Sequence, residues 1–215
     1  PHNPTGYVIS ESMLNDIVTI CRKHDLYLFS DEVYRGLELG DTPQTPSVCD
    51  IYEKAVALGV MSKAFGLAGL RIGWVMSQDK SLLNEMLNQK FYTTICNSAP
   101  SEFLAQIALE NKTHILARNR AIIERNIQLV HECFDIFRNV FQWTPPKAGS
   151  IAFPRLLLDP MSAEEFCVQL VETQGVMLLP STVYNYGHYH FRLGLGRNNV
   201  PEALIELEKF LRILT

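Results

Sequence analysis

The chain has 215 residues, a formal charge of −4 and 47% hydrophobic residues, enough to bury a core as one large or two small domains. Its acidic balance, with no basic run interleaved with aromatics, excludes a nucleic-acid binder that works by neutralising phosphates. No apolar run reaches the roughly 20 residues that a membrane helix needs, and five scattered cysteines without a Cys-x-x-Cys pair point to a reducing compartment such as the cytoplasm.

The chain opens "PHNPTG", with no initiator methionine and no lead-in element, so it reads as the later part of a longer protein. Asn3-Pro4 is a bond at which the cis form costs only about 0.5–1 kcal/mol, although an ordinary Asn-Pro turn is the commoner outcome. From Ser10 to His24, Met13, Leu14, Ile17, Val18 and Ile20 recur at helical spacing behind a serine start. "LYLFSDE" (26–32) and "KAVALGVMSK" (54–63) are apolar runs that stop on charge, and both are expected to be buried strands. A third run, "LRIGWVMS" (70–77), follows a glycine-rich turn. A helix followed by strands without hairpin dipeptides predicts an α/β sheet, whose ligands gather at the carboxyl ends of the strands.

Residues 79–92 and about 100–140 are helical by period, with a polar break at Asn111-Lys112-Thr113 that marks a change of domain. The expected domains are therefore 1–110 and 111–215. Beyond Pro145-Pro146 come strand-like "GSIAFPRLLL", a helix from about 162 to 173, strand-like "GVMLLPS" and "YHFRLGLG", and a closing helix entered through Asn199 and Pro201. This second part is expected to be a smaller α+β domain.

Two of the charged strand ends carry chemistry. A catalytic lysine needs surroundings that disfavour its charge. Lys63 ends an apolar strand and has Arg71 nearby, whose planar fork suits a phosphate while Gly66 and Gly69 let backbone approach a ligand; taken alone, a lysine at a strand end is more commonly a solvated surface residue. Asp31 ends the other strand, where a carboxylate is able to hold a proton on a ring nitrogen or simply cap a turn. Tyr34 offers a phenol to the same ligand, or packs with its tip in water. In "HYHFRLGLG" the apolar residues alternate, so Arg192 shares a face with Gly194 and Gly196, where there is room for a substrate carboxylate, or where it is simply a solvated arginine on a polar strand face. His188 and His190 have no third ligand nearby, and no metal is expected.

Four segments in register resemble the signature segments of fold-type I pyridoxal-phosphate enzymes, specifically the class I and II aminotransferases: "NPTG" (3–6), "SDEVYRG" (30–36), "SKAFGLAGLRIGW" (62–74) and "FRLGLG" (191–196). The resemblance covers the whole chain and implies the C-terminal part of a large domain with a mainly parallel sheet, then the small domain, with the N-terminal half of a typical member absent. By resemblance, Lys63 forms the Schiff base with pyridoxal 5'-phosphate and is the catalytic base, and Asp31 pairs with the pyridine nitrogen. Val33 rests on the ring, Asn3 and Tyr34 hydrogen-bond its 3-hydroxyl oxygen, and Arg71 holds the phosphate. Arg192, with Asn3, belongs to the substrate site and grips the α-carboxylate. Val60 departs from the pattern, since many members carry Ser or Thr three positions before the lysine.

The implied activity is transfer of an amino group between an α-amino acid and a 2-oxo acid by a cytoplasmic homodimer, with the isolated piece weak or inactive. The alternatives are a lyase on the same scaffold, or the aminotransferase-like sensor domain of a transcriptional regulator.

Overall fold

The computed structural model describes residues 1–214, which form two compact units. The first joins Pro1 to Val8–Asn119, and the second joins residues 2–7 to Arg120 onward. The units divide at 119/120, nine residues beyond the expected change at 110/111, and residues 2–7, which include "NPTG", are grouped with the second unit.

The first unit opens with helix α1 (Glu11–Lys23), capped by the Ser10 hydroxyl, which accepts a hydrogen bond from the Met13 N–H. A serine there satisfies one of the orphan donors of the first turn. Leu14, Val18 and Cys21 form its buried stripe and pack with Val48, Tyr52, Ala55 and Ala57. Met13 and Ile20 stay about half exposed, because they fall outside the arc that faces the sheet. Strand β1 (Leu28–Asp31) runs parallel to β2 (Ala55–Val60), with Asp31 opposite Leu58, and β3 (Gly73–Met76) runs antiparallel to β2 on its other side. Between β1 and β2 lies the short helix α2 (Val48–Ile51).

The expectation of two buried strands holds for β2 and fails for β1. Strand β2 is central and covered on both faces, whereas β1 is an edge strand whose Leu28 packs on the core while Phe29, on the opposite face, is 59% exposed. An apolar run reports the tendency to be buried, not the presence of a covering layer. Gly59 lies opposite Trp74 in the β2–β3 register, and a Cβ at that position would meet the indole at 2.4 Å. Glycine is required there by close approach. Helices α3 (Lys80–Thr93) and α4 (Ala99–Glu110) follow, and α5 (Lys112–Ile136) begins in this unit and continues into the second.

The second unit is α+β: β4 (Phe141–Gln142) pairs with β6 (Arg155–Leu156), and β8 (Phe191–Gly194) lies between β5 (Ile151–Ala152) and β7 (Leu179–Pro180). Helix α6 (Ala163–Gln174) is held by a complete capping box between Ser162 and Glu165, and α7 (Val200–Leu214) closes the described chain. The core is aromatic. Phe134 stacks on Phe141 at 4.3 Å, and Phe141, Phe166, Phe191 and Phe210 continue edge-to-face or stacked contacts at 5.5–5.9 Å. Such pairs add to the large apolar area each ring buries. The N-terminal loop joins this unit because the Lys147 and Ala148 N–H groups both donate to the Gly6 carbonyl, at 3.1 and 3.2 Å.

Candidate functional site

The first unit places a carboxylate, an amine and a guanidinium on the connections that leave its sheet. Asp31 is the last residue of β1 and is exposed; its Oδ1 accepts the Val33 N–H at 3.1 Å, which starts the turn through Glu32 and Tyr34. Glu32 points the other way, accepting from the Ser47 hydroxyl and the Val48 N–H, both at 3.0 Å, and so caps α2. The two adjacent carboxylates therefore do different work, one structural and one facing solvent. Tyr34 is 6% exposed, so its ring is part of the core rather than a surface tyrosine; Val33 is half-buried.

Parallel to this, β2 leaves the sheet at Met61. Met61 and Ala64 are buried, Met61 packing with Ala105, Ala108, Phe65, Leu67, Leu70, Ile72, Trp74 and Ile115. Lys63, between them, is exposed. Buried anchors on both sides of a polar residue force the chain to bulge there, and the lysine is what the bulge presents. The turn is closed by Gly66 N–H to the Lys63 carbonyl at 3.0 Å and Leu67 N–H to the Met61 carbonyl at 2.9 Å. Gly66 takes φ +69°, in the left-handed region that a side chain disfavours.

One bond joins the two connections: the Ala64 N–H donates to the Val33 carbonyl at 3.2 Å. The residue after the lysine is thereby tied to the residue two after the aspartate. Arg71 sits beyond a short 3₁₀ turn, is exposed, and holds φ +54°, a conformation that costs an L-residue about 1–2 kcal/mol. Its Nη1 donates to the Ala68 carbonyl at 3.1 Å, folding the guanidinium over its own turn.

The second unit holds the other two expected residues. Asn3 Oδ1 accepts from Arg192 Nη1 at 3.4 Å, although the two are 189 positions apart. The Asn3–Pro4 peptide is cis, and the loop is closed by Gly6 N–H to the His2 carbonyl and His2 N–H to the Tyr7 carbonyl, both at 2.8 Å. Arg192 lies on β8 with its guanidinium 6.0 Å from the Tyr184 ring centre, within cation–π range. Tyr184 carried no assignable role in the sequence, because nothing local distinguishes it from Tyr186. His190 stacks on Phe153 at 5.2 Å, and its burial, then the charge of Arg155, pull the imidazole below its ordinary pKa. The seven expected residues therefore form two groups: Asp31, Val33, Tyr34, Lys63 and Arg71 in one unit, Asn3 and Arg192 in the other.

The donor types of the first unit suit the groups of pyridoxal 5'-phosphate: a primary amine would suit its aldehyde, a carboxylate its pyridinium N–H, and a guanidinium its phosphate.

Residues 1–206 match the family model of the class I and II aminotransferases. A putative aminotransferase of Bacillus subtilis is 27% identical over all of this chain and 56% of its own length. A crystal structure of a PLP-dependent aminotransferase from Streptococcus suis is 31% identical, with a TM-score of 0.90 over 100% of this chain and 56% of that one. The PLP-dependent cyclase OrfR is 27% identical, with a TM-score of 0.88 over 100% of this chain and 58% of its own. The chain spans about half the length of the curated relatives it matches.

Proposed function

The chain belongs to the class I and II aminotransferases, and on that premise we propose that it takes part in moving an amino group between an α-amino acid and a 2-oxo acid with pyridoxal 5'-phosphate. The observation that carries this reading is the bond from Ala64 to Val33, which ties the loop of the exposed lysine to the loop of the exposed aspartate at the ends of two parallel strands. Bound there, the cofactor supplies an electron sink that lets the substrate's Cα–H bond break.

The protein's own part is positioning and proton traffic. In the first unit Asp31 would hold a proton on the ring nitrogen, Tyr34 would serve the 3-hydroxyl oxygen, Val33 would support the ring, and Arg71 would anchor the phosphate through its fork. Lys63 Nζ would hold the cofactor, and its amine would take the proton from the substrate Cα and return it as a general base and acid. Arg192 pairs with the α-carboxylate, its guanidinium oriented by Asn3 Oδ1 and by the Tyr184 ring.

The same reading takes the protein as a cytoplasmic homodimer; among the described residues no helix is long and apolar enough to cross a membrane. A second reading, elimination or cyclisation on the same scaffold, is favoured by the likeness to the OrfR cyclase.

The test is to mix the 215-residue chain with pyridoxal phosphate, reduce with borohydride and map the adduct by peptide mass spectrometry. Lys63 is expected to carry most of the label, and Lys63→Ala to lose it. Equal labelling of Lys23, Lys54 and Lys63 sinks the assignment. With an amino acid present, 2-oxo acid beyond one equivalent of cofactor only when a second oxo acid accepts the amino group, with no ammonia released, indicates transfer, whereas ammonia released without an acceptor indicates elimination.

A further inference from the structure

We propose that Asn119 is a positioning residue for Lys63, acting through the backbone of the residue that follows the lysine. Its Nδ2 donates to the Ala64 carbonyl at 2.9 Å across 55 positions of sequence. Since the Ala64 N–H donates to Val33, both polar backbone groups of Ala64 are tied, one toward the Asp31 loop and one to α5. The Asn119 Oδ1 accepts from Arg118 Nη1 at 3.1 Å, so the donating end of the amide is the one turned to Ala64.

The surroundings make this amide more than an incidental contact. The backbone of the turn from Met61 to Leu67 otherwise bonds within itself and to the backbones of Val33, Leu70 and Ile72. On its open side, a Cβ at Gly66 would lie 3.5 Å from Asn119 Nδ2, so the amide packs directly against the left-handed glycine. Asparagine is also a poor choice inside a 25-residue helix, where a lysine or glutamate would favour the helix more. A local rule broken with a compensating tertiary bond is the mark of a residue kept for placement. Freed of this bond, the turn retains its buried anchors but loses its side-chain tether to α5, and Lys63 samples a wider set of directions relative to Asp31.

The inference rests on the reading of Lys63 as the cofactor lysine, and its test separates the two. The 215-residue chain is compared with Asn119→Asp, Asn119→Ala and Asn119→Gln, after circular dichroism and melting curves establish which variants fold. Two quantities are measured: amide hydrogen exchange in peptides spanning 61–67, and the borohydride-fixed pyridoxal phosphate adduct at Lys63 relative to Lys23. Loss of one hydrogen bond is expected to quicken exchange at Ala64 to Gly66 and to lower the Lys63 adduct about fivefold in Asn119→Asp and Asn119→Ala, with Lys23 unchanged. Asn119→Gln keeps a donor and is expected to recover part of both.

A folded Asn119→Ala chain whose Lys63 adduct stays within about twofold of wild type overturns the proposal. Should wild type label Lys63 no faster than Lys23, the cofactor reading fails by itself. Asn119 is then judged by exchange alone, and unchanged exchange at Ala64 to Gly66 in the folded variant overturns its positioning role.

Discussion

Asn126→Ala is the substitution whose cost the structure defines best. Asn126 is fully buried in α5, and its Nδ2 donates to two carbonyls, Leu195 at 2.8 Å and Arg197 at 2.7 Å, immediately after the strand that carries Arg192. Two hydrogen bonds contribute about 1 kcal/mol each, and leaving the buried Leu195 carbonyl without a partner costs about 1–3 kcal/mol more, so the expected loss is about 3–5 kcal/mol. For a chain of this length the melting temperature should fall by roughly 6–20 °C. Urea denaturation followed by circular dichroism measures the loss, and hydrogen exchange at Leu195 to Arg197 locates it. Asn126→Asp should be at least as damaging, because a carboxylate would face two carbonyl oxygens. A loss below about 1 kcal/mol for Asn126→Ala would refute the reasoning, since it would mean that the segment relaxes and resolvates at little cost.

Gly59→Ala drives a methyl into the Trp74 indole, 2.4 Å away, and should destabilise the chain by about 1–3 kcal/mol, as overpacking does; denaturation midpoints check it, and no change would show that the indole moves aside freely. Glu165 has its pKa lowered, first by the Ser162 N–H and then by the Ser162 hydroxyl. A depressed carboxylate stabilises the fold above the unfolded value near about 4.3 and loses that contribution as pH falls through the lower folded value. The melting-temperature advantage of wild type over Glu165→Gln should therefore be constant from pH 7 to 5 and shrink in more acidic buffer; a pH-independent difference would contradict this.

Much of the fold is legible along the chain because helices and strand ends announce themselves locally. The serine before α1 caps it, the break at Asn111 separates α4 from α5, and the alternation around Phe191 buries Phe191 and Leu193 while Arg192 stays partly exposed. Phe29 was expected in a buried strand and is exposed, as are Met13 and Ile20 on α1, because periodicity describes a residue's preference rather than its neighbour. The aromatic core linking Phe134 to Phe210 was likewise invisible, since its members come from five separate elements.

The residue sequence by itself determined which polar groups stand beside the strands: a carboxylate ending β1 at 31, an amine at 63 in the turn three residues past β2, and an arginine on β8 at 192. Those features follow from apolar runs that stop on charge and from alternation, both of which are local. Tertiary structure alone decided what holds them. Asn3 meets Arg192 across 189 positions, and Asn119 reaches the Ala64 carbonyl across 55. Polar side chains carry no period that names a distant partner, so such bonds exist only once packing has brought their backbones together.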